Sequence, residues 1–243
     1  MKSFFDSIME DSFFSMMLVR EILLGFASPK YGALGLYYFV KLRKDVSYIR
    51  NELKKNFSTT DIIRRSHGAG AQYKEVLLYL LVRKFRPKLV VETGVGQGVS
   101  TYFILRAMRD NGFGRLVSID LPNRNSGGRV NVDGKVEGTY VPKNLTPGWL
   151  VPKTWRKNWK LILGDSKKVL PELKHAPDLF FHDSEHAYKT MKFEYEWALD
   201  HMRSGVISSD DVGWSRAWKE FLSRNRSRVK KLRFPIIGVS LLR

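Results

Sequence analysis

The fold of this chain is decided by one stretch of twelve residues, Val90-Val91-Glu92-Thr93-Gly94-Val95-Gly96-Gln97-Gly98-Val99-Ser100-Thr101. Its valines belong to a short apolar run that predicts a buried strand, and a helical pattern begins after Gly98. Glycines between a strand and a helix let the backbone adopt positive φ and let a ligand approach it closely. The N-terminus of the helix adds free N–H groups and a positive dipole end. The stretch therefore predicts a strand–turn–helix unit that binds a ligand at the turn.

The residues of the turn also distinguish between the classes of ligand that such turns bind. A P-loop needs a glycine, four residues and then Gly-Lys-Ser or Gly-Lys-Thr, and this pattern is absent here. The dinucleotide fingerprint G-x-G-x-x-G fails because Val99 stands at its last position. Glu92 lies two residues before the first glycine, where a carboxylate suits a pyrophosphate poorly. The turn favours a ligand that carries an amino group and a positive centre.

Outward from this turn, short apolar runs alternate with helical patterns. The predicted strands are Leu89–Val91, Leu116–Ile119, Leu161–Leu163, Leu179–Phe181 and Val206–Ser208. Apolar strands that alternate with helices predict a parallel sheet covered by helices on both faces. The predicted tail consists of a helix at Trp214–Ser223 and two strands, Val229–Phe234 and Ile236–Leu242.

Acidic residues follow several of the predicted strands. Asp120 ends the second strand, Asp165 follows the third, and Asp183 follows the fourth. Because the carboxyl ends of parallel strands lie at one edge of a sheet, we expect these carboxylates and the glycine turn to line one crevice. Each acid taken alone is equally consistent with a loop residue or a helix cap.

Together these features resemble the class I S-adenosylmethionine-dependent methyltransferases over residues 66–243. The resemblance implies an α/β fold with a Rossmann-like sheet of seven strands, mostly parallel, in which the last strand is antiparallel. It also implies S-adenosylmethionine as the cofactor. The cofactor-binding residues that it implies are Glu92, Gly94, Gly96, Gly98, Ser100, Asp120, Asp165 and Asp183.

Two dense acidic segments resemble a narrower group of these methyltransferases, the macrocin O-methyltransferase-like and cephalosporin-hydroxylase-like proteins. The segments are His182-Asp183-Ser184-Glu185-His186-Ala187-Tyr188 and Ser209-Asp210-Asp211-Val212. Several proteins of the group hold magnesium, so the resemblance implies Mg²⁺ with Asp183, Asp210 and Asp211 as ligands. Three carboxylates suit such a hard cation. The catalytic candidates are Asp183 and His186, with His186 as a base for an acceptor hydroxyl.

Two other interpretations of these segments remain open. The acids can be caps for the helices that follow the strands. The residues from His182 to His186 also spell H-x-x-E-H, the inverted zinc-peptidase motif, which needs both histidines on one face of a helix. Because His182 directly follows a strand and Ser184 has the character of an N-cap, we expect the two rings to point in different directions.

Composition and charge limit the partners of the chain. It has 243 residues, no cysteine and a formal net charge of +18. The lack of cysteine excludes disulfides, thiolate nucleophiles, zinc ribbons and iron–sulfur clusters. The charge favours a phosphorylated substrate, an anionic membrane surface or nucleic acid, or else it is a solvated surface. No stretch reaches the roughly 18 apolar residues of a membrane-spanning helix, so we expect a cytoplasmic protein, with peripheral membrane binding as an option.

Two segments lie outside the alternating pattern. Residues 1–65 predict an N-terminal helical extension, which either caps the main domain of residues 66–243 or contacts lipid or a second copy in a homo-oligomer. Residues 122–158 form an insertion rich in Gly, Asn and Pro. Long loops inside a compact domain are usually functional or disordered, and the aromatic residues of this one favour a folded lid.

The leading functional hypothesis is methyl transfer from S-adenosylmethionine to a hydroxyl oxygen of a sugar, a glycolipid or another small molecule. An RNA methyltransferase is the alternative that the charge favours, although no RNA-binding module is recognised in the sequence. A third hypothesis is a non-catalytic protein on the same fold that binds membranes or polyanions. The acids at every expected cofactor position count against this third hypothesis.

Overall fold

The computed structural model of the protein describes residues 37–38, 40–57, 73–122, 129–130, 136–137, 141–142, 144–233 and 237–243. Residues 1–36 and 58–65 of the predicted N-terminal extension lie outside the described residues, as does Tyr140 of the insertion. Within the described part of the chain, no helix is long and apolar enough to cross a membrane.

One sheet of seven strands forms the centre of the structure. Its strands are β1 (Leu89–Thr93), β2 (Arg115–Asp120), β5 (Trp159–Leu163), β6 (Leu179–His182), β7 (Val206–Ser209), β8 (Val229–Leu232) and β9 (Gly238–Leu242). They lie in the sheet in the order β5-β2-β1-β6-β7-β9-β8. The first five are parallel, and β9 is antiparallel to both β7 and β8. This confirms the predicted α/β fold, including the antiparallel last strand.

Helices cover both faces of the sheet. They are α1 (Arg43–Asn56), α2 (Tyr73–Phe85), α3 (Val99–Asn111), α4 (Ser166–Val169), α5 (Tyr188–His201) and α6 (Ala217–Arg224). Helices α1, α2 and α3 share one hydrophobic core, whereas α5 and α6 share a second core on the opposite face. Side chains alternate along a strand, so Val90 of β1 lies in the first core and Val91 in the second.

The described part of the N-terminal extension is anchored to the sheet domain. The α1 residues Val46, Ile49 and Leu53 are buried in the first core. The carboxylate of Asp45 accepts hydrogen bonds from the Tyr102 hydroxyl at 2.7 Å and from Nε of Arg106 at 3.1 Å. Helix α1 is therefore held against α3 by both apolar packing and polar contacts.

The insertion contains more structure than a loop. Two short strands, β3 (Arg129–Val130) and β4 (Val136–Glu137), pair in antiparallel fashion, and a 3-10 helix spans Lys153–Asn158. The rings of Trp149, Trp155 and Trp159 pack against the first core. These aromatic residues therefore join the insertion to the domain, and Trp159 itself begins β5.

The helical segment that follows β5 changes type along its length. Four residues of α4 are followed by a 3-10 helix at Leu170–Glu172. Pro171 lacks the N–H that a continuing α-helix would need, which explains the change.

Candidate active site

The glycine turn between β1 and α3 lies where three backbone segments converge. Gly94, Gly96 and Gly98 have φ angles of +81°, +52° and +95°, values that glycine adopts at little cost. A Cβ atom on Gly94 would lie 1.9 Å from the carbonyl oxygen of Asp183, and one on Gly98 would lie 2.7 Å from Cα of Gly148. Two of the three glycines are therefore required by the close approach of neighbouring chain segments.

Glu92 lies beneath the turn and does not reach its outer surface. The side chain is fully buried and accepts hydrogen bonds from three hydroxyls, donated by Ser100 at 2.6 Å, Thr101 at 2.7 Å and Ser118 at 2.6 Å. Burial raises the pKa of Glu92 to about 7, although these hydroxyls partly offset the rise. Glu92 and Ser100, both predicted cofactor contacts, thus bind each other and tie the turn to α3 and β2.

Replacement of Glu92 by glutamine is expected to change how stability depends on pH. The folded protein keeps the proton of Glu92 up to about pH 7, whereas the unfolded chain releases it near pH 4.5. Glu92 therefore makes its full contribution to the free energy of unfolding below pH 4.5. This contribution falls by about 3 kcal/mol as the pH rises through 7. Urea unfolding should show Glu92→Gln gaining stability relative to wild type by that amount between pH 4.5 and pH 8.

Glu172→Gln, at an exposed glutamate, is the control for removing one negative charge. A stability difference between wild type and Glu92→Gln that stays constant over this pH range would contradict the prediction.

The acids after β2 and β5 lie at the edge of the sheet where the glycine turn lies. Oδ2 of Asp120 accepts hydrogen bonds from the N–H groups of Val95 at 3.1 Å and Gly96 at 2.9 Å. Asp165 is the N-cap of α4 and accepts from the N–H of Lys167 at 2.9 Å. Both residues thus act within the protein as turn or cap residues, as the alternative interpretation expected, and both lie at the predicted crevice.

Two leucines at the same edge face solvent. Leu121 follows Asp120 and is 42% exposed, and Leu163 ends β5 and is 48% exposed. Asp120 and Leu163 are register partners on neighbouring strands. Large apolar side chains beside carboxylates at the open end of the sheet suit a ligand with one flat apolar face and several polar groups.

The insertion covers one side of the glycine turn. The N–H of Gly148 donates to the carbonyl of Gly96 at 2.9 Å, and the N–H of Leu150 donates to the carbonyl of Gln97 at 3.1 Å. A Cβ atom on Gly148 would lie 2.2 Å from the Trp159 ring. The described residues around Gly148 therefore fix the turn from outside while Glu92 fixes it from inside.

Beyond β6 and β7, a lysine contacts two of the three acids that were predicted to share a metal. Lys74, the second residue of α2, donates from Nζ to Oδ2 of Asp210. The same Nζ lies 3.9 Å from Oδ2 of Asp183 and 3.8 Å from Oε1 of Glu75. An ammonium group from another element is thus the centre of this acidic cluster.

The protonation of the cluster follows from burial and from this lysine. Burial raises the pKa of Asp183 well above its usual value, and Asp210 adds to the rise despite the nearby ammonium. Burial acts on Asp210 as well, but the contact with Lys74 holds its pKa below its usual value. Burial opposes the charge of Lys74, yet the surrounding carboxylates raise its pKa well above normal. Lys74 and Asp210 are therefore a charged pair, whereas burial favours the protonated form of Asp183.

The third predicted metal ligand points elsewhere. Oδ2 of Asp211 lies 3.8 Å from Nε2 of His186, and about half of the Asp211 side chain is exposed. Among the described residues, no three His, Asp or Glu side chains are arranged to hold a metal ion. The predicted magnesium ligands therefore do not form a fitting site, because the ammonium group of Lys74 already contacts two of them and Asp211 faces His186.

His186 is enclosed by aromatic neighbours. Its ring centroid lies 5.4 Å from that of His182 and 6.0 Å from that of Trp214, whose side chain is 41% exposed. Burial, followed by the nearby His182, lowers the pKa of His186 to about 4. The imidazole is neutral at pH 7 and has a nitrogen lone pair with which to accept a proton.

The two histidines of the H-x-x-E-H pattern do not share a face. Their rings are inclined by 86°, and His182 is fully buried at the end of β6. Glu185 accepts from the hydroxyl of Thr190, and its carboxylate lies 3.8 Å from Nζ of Lys167. The zinc-peptidase interpretation is therefore not supported by the described residues.

A buried network centred on Glu194 of α5 supports this edge of the sheet. Glu194 accepts from the hydroxyls of Thr93 at 2.5 Å and Ser184 at 2.8 Å, and it lies 2.6 Å from Nδ1 of His182. Nε2 of His182 is buried without a hydrogen-bond partner in the described part of the chain. Glu194 thus joins β1, β6 and α5 directly behind the acidic cluster.

Sequence patterns alone did not identify Lys74 or Glu194. Both lie within helical patterns that carry several charged residues, where a solvated position is the usual expectation. The only signal for Glu194 is its place among apolar neighbours, Phe193, Tyr195 and Trp197. No local signal distinguishes Lys74 from the other lysines.

The chain matches a protein family in sequence and several solved proteins in structure. The family described as "Methyltransferase domain" matches residues 91–212, half of the chain. The SAH-bound methyltransferase PaMTH1 from Podospora anserina is 15% identical, with 89% of this chain and 96% of that one covered and a TM-score of 0.55. The O-methyltransferase from Bacillus cereus, solved in complex with SAH, is 15% identical, with 88% and 99% covered and a TM-score of 0.53. No curated protein matches the chain.

Proposed function

The chain belongs to the methyltransferase-domain family, and from that premise we propose that it transfers a methyl group from S-adenosylmethionine to a hydroxyl oxygen of a small molecule. The observation that carries the proposal is the set of groups that gather at the carboxyl edge of the sheet, where the sequence predicts a crevice. There the glycine turn, Asp120 and Asp165 lie beside the exposed leucines 121 and 163.

The crevice residues fit this cofactor by their chemistry. Leu121 and Leu163 offer apolar surface for the adenine base. Asp120 and Asp165 are acceptors for the ribose hydroxyls and the adenine amino group, and both have oxygens at or near the surface. When bound, S-adenosylmethionine supplies an electrophilic methyl group on a positively charged sulfur.

The residues beyond β6 and β7 would orient the acceptor and take its proton. The imidazole of His186 is neutral and can accept a proton from an acceptor hydroxyl, although its lowered pKa makes it a weaker base than an ordinary histidine. Burial favours the protonated form of Asp183, so this residue is better suited to donate a hydrogen bond than to act as a base. Displacement at carbon needs the nucleophile, the methyl group and the sulfur in line, so most of the rate acceleration is expected to come from positioning.

The exposed Trp214 ring beside His186 supports a small acceptor. An exposed indole at the mouth of the site offers a flat apolar face to a sugar or an aromatic ring. The charge of +18, with Lys230 and Lys231 exposed on the edge strand β8, keeps RNA and glycolipid acceptors among the candidates. Charged residues on an edge strand also prevent aggregation, so the exposed lysines have an explanation that requires no anionic partner.

Calorimetric titration tests the cofactor. Wild-type protein should bind S-adenosylmethionine and its demethylated product. Asp165→Ser keeps an N-cap residue on α4 but removes the second carboxylate oxygen and the negative charge, so it should bind about tenfold more weakly while its unfolding midpoint stays the same. Folded wild-type protein that binds neither compound, or that binds NAD tightly, would contradict the proposal.

Transfer of a labelled methyl group tests the acceptor. The protein is incubated with labelled S-adenosylmethionine and, separately, with sugar, lipid and RNA extracts. Label in the sugar or lipid fraction supports the proposal, whereas label confined to RNA supports the RNA methyltransferase. Cofactor binding without label in any fraction would favour the non-catalytic alternative.

A further inference from the structure

The position of Lys74 has a consequence for metal dependence. Its Nζ donates to Asp210 and lies within 4 Å of Asp183 and Glu75. The three carboxylates are 7%, 21% and 6% exposed, and the lysine side chain is 26% exposed. This is a largely enclosed cluster in which one ammonium group faces three acids.

The backbone around the cluster holds the two aspartates in place. The N–H of Asp183 donates to the carbonyl of Thr93 at 2.8 Å, and the N–H of Asp210 donates to the carbonyl of His182 at 2.9 Å. Asp183 is further confined because its carbonyl oxygen abuts Gly94. The backbone that carries the two carboxylates is therefore fixed at the ends of two neighbouring strands.

The lysine is supplied by an equally fixed element. Helix α2 buries Leu77, Leu78 and Leu81 completely or almost completely in the first core. Lys74 lies at the first turn of this helix, at the end nearest the carboxyl edge of β6 and β7. The position of the Lys74 side chain beside Asp210 thus depends on the packing of the whole helix.

An ammonium group and a divalent cation compete for such a place. Mg²⁺ needs oxygen ligands at about 2.1 Å and near-octahedral geometry. An ammonium bonded to one of those oxygens would lie within about 5 Å of the metal, at a strongly repulsive separation. Lysine satisfies the same carboxylates with three rotatable donors and a single positive charge.

We infer that Lys74 occupies the place beside Asp183 and Asp210 that a divalent metal would take, and that the reaction of this protein is metal-independent. The second part of this inference rests on the proposed function, whereas the first concerns ion binding alone. Lys74 is in this view a positioning residue, which keeps the two aspartates in a fixed arrangement beside His186.

Mn²⁺ binding, followed by electron paramagnetic resonance on the full chain without cofactor, tests the first part. Wild-type protein should show no saturable site at 1 mM Mn²⁺. Lys74→Ala frees the two carboxylates and should bind Mn²⁺ at least tenfold more tightly than wild type. Adding Asp210→Asn to Lys74→Ala should abolish the gain. Lys84→Ala, an exposed lysine at the other end of α2, is the control and should behave as wild type.

Several outcomes would overturn the inference. A micromolar Mn²⁺ site in wild type that Asp210→Asn removes would show that Lys74 yields to the metal. Folded Lys74→Ala that gains no Mn²⁺ site would show that the carboxylates do not form a latent metal site. If Lys74→Ala does not fold, Lys74→Met replaces it in the Mn²⁺ titration, because methionine keeps the length of the side chain without its charge. The titration of wild type still shows whether Mn²⁺ displaces Lys74.

Activity in chelator tests the second part. Methyl transfer by wild type should be unchanged in excess EDTA, and loss of transfer that Mg²⁺ restores would overturn metal independence. Failure of the proposed function would appear as absence of labelled product with and without chelator, while the Mn²⁺ results would remain interpretable.

Discussion

Gly94→Ala is expected to abolish S-adenosylmethionine binding and to destabilise the fold by about 2–4 kcal/mol. The new methyl group would lie 1.9 Å from the carbonyl oxygen of Asp183 and 2.4 Å from its carbonyl carbon. Both are backbone atoms at the end of β6, so neither can move without displacing Asp183. The positive φ of +81° adds the usual strain of a non-glycine residue. Urea unfolding and calorimetric titration measure the two effects.

Gly112→Ala is the matched control for Gly94→Ala. Gly112 ends α3 with a φ of +82°, almost the same angle, but a Cβ atom there would meet nothing within 4 Å. The control should lose only about 1 kcal/mol and should keep cofactor affinity. Equal losses in the two variants would mean that backbone angle, and not the contact with Asp183, determines the effect at Gly94.

Glu194→Ala is expected to cost about 3–5 kcal/mol of unfolding free energy, because it removes one partner of a buried polar network. Nδ1 of His182 and the hydroxyls of Thr93 and Ser184 would lose their common partner inside the protein. Unpartnered buried polar groups carry a full desolvation penalty. Chemical denaturation measures the loss.

Glu196→Ala supplies the matched control on the same helix. Glu196 is 46% exposed and pairs with Lys192 one turn earlier at 2.5 Å. Such surface pairs contribute little, so its loss should cost less than about 0.5 kcal/mol. A small effect at Glu194, comparable with that at Glu196, would refute the structural importance of the network.

Much of the fold could be predicted from local patterns. The apolar runs at Val90–Val91 and Leu179–Phe181 must be buried on both sides, and this requirement predicts a parallel sheet covered by helices. Element ends were less predictable because they depend on neighbours. Trp159 joins β5 since its ring packs in the first core and its indole N–H donates to Ser118 at 2.9 Å.

The candidate site was predicted in its location but not in its contacts. Asp120, Asp165 and Asp183 lie at the expected edge of the sheet, because the ends of parallel strands must share one edge. Glu92 is on the same strand as the turn, yet its direction into the protein depends on hydroxyls from α3 and from β2. The strand pattern carried no information about those partners.

The sequence by itself determined the sheet, the glycine turn and the edge at which the acidic residues gather, since each depends on residues close together in the chain. Only the tertiary structure decided what those acids bind. Lys74 reaches Asp210 across 136 positions of sequence, and Thr93 reaches Glu194 across 101. Such contacts depend on how helices α2 and α5 pack on the sheet, and no local spacing encodes that packing. The charge balance of the site is therefore a property of the assembled fold.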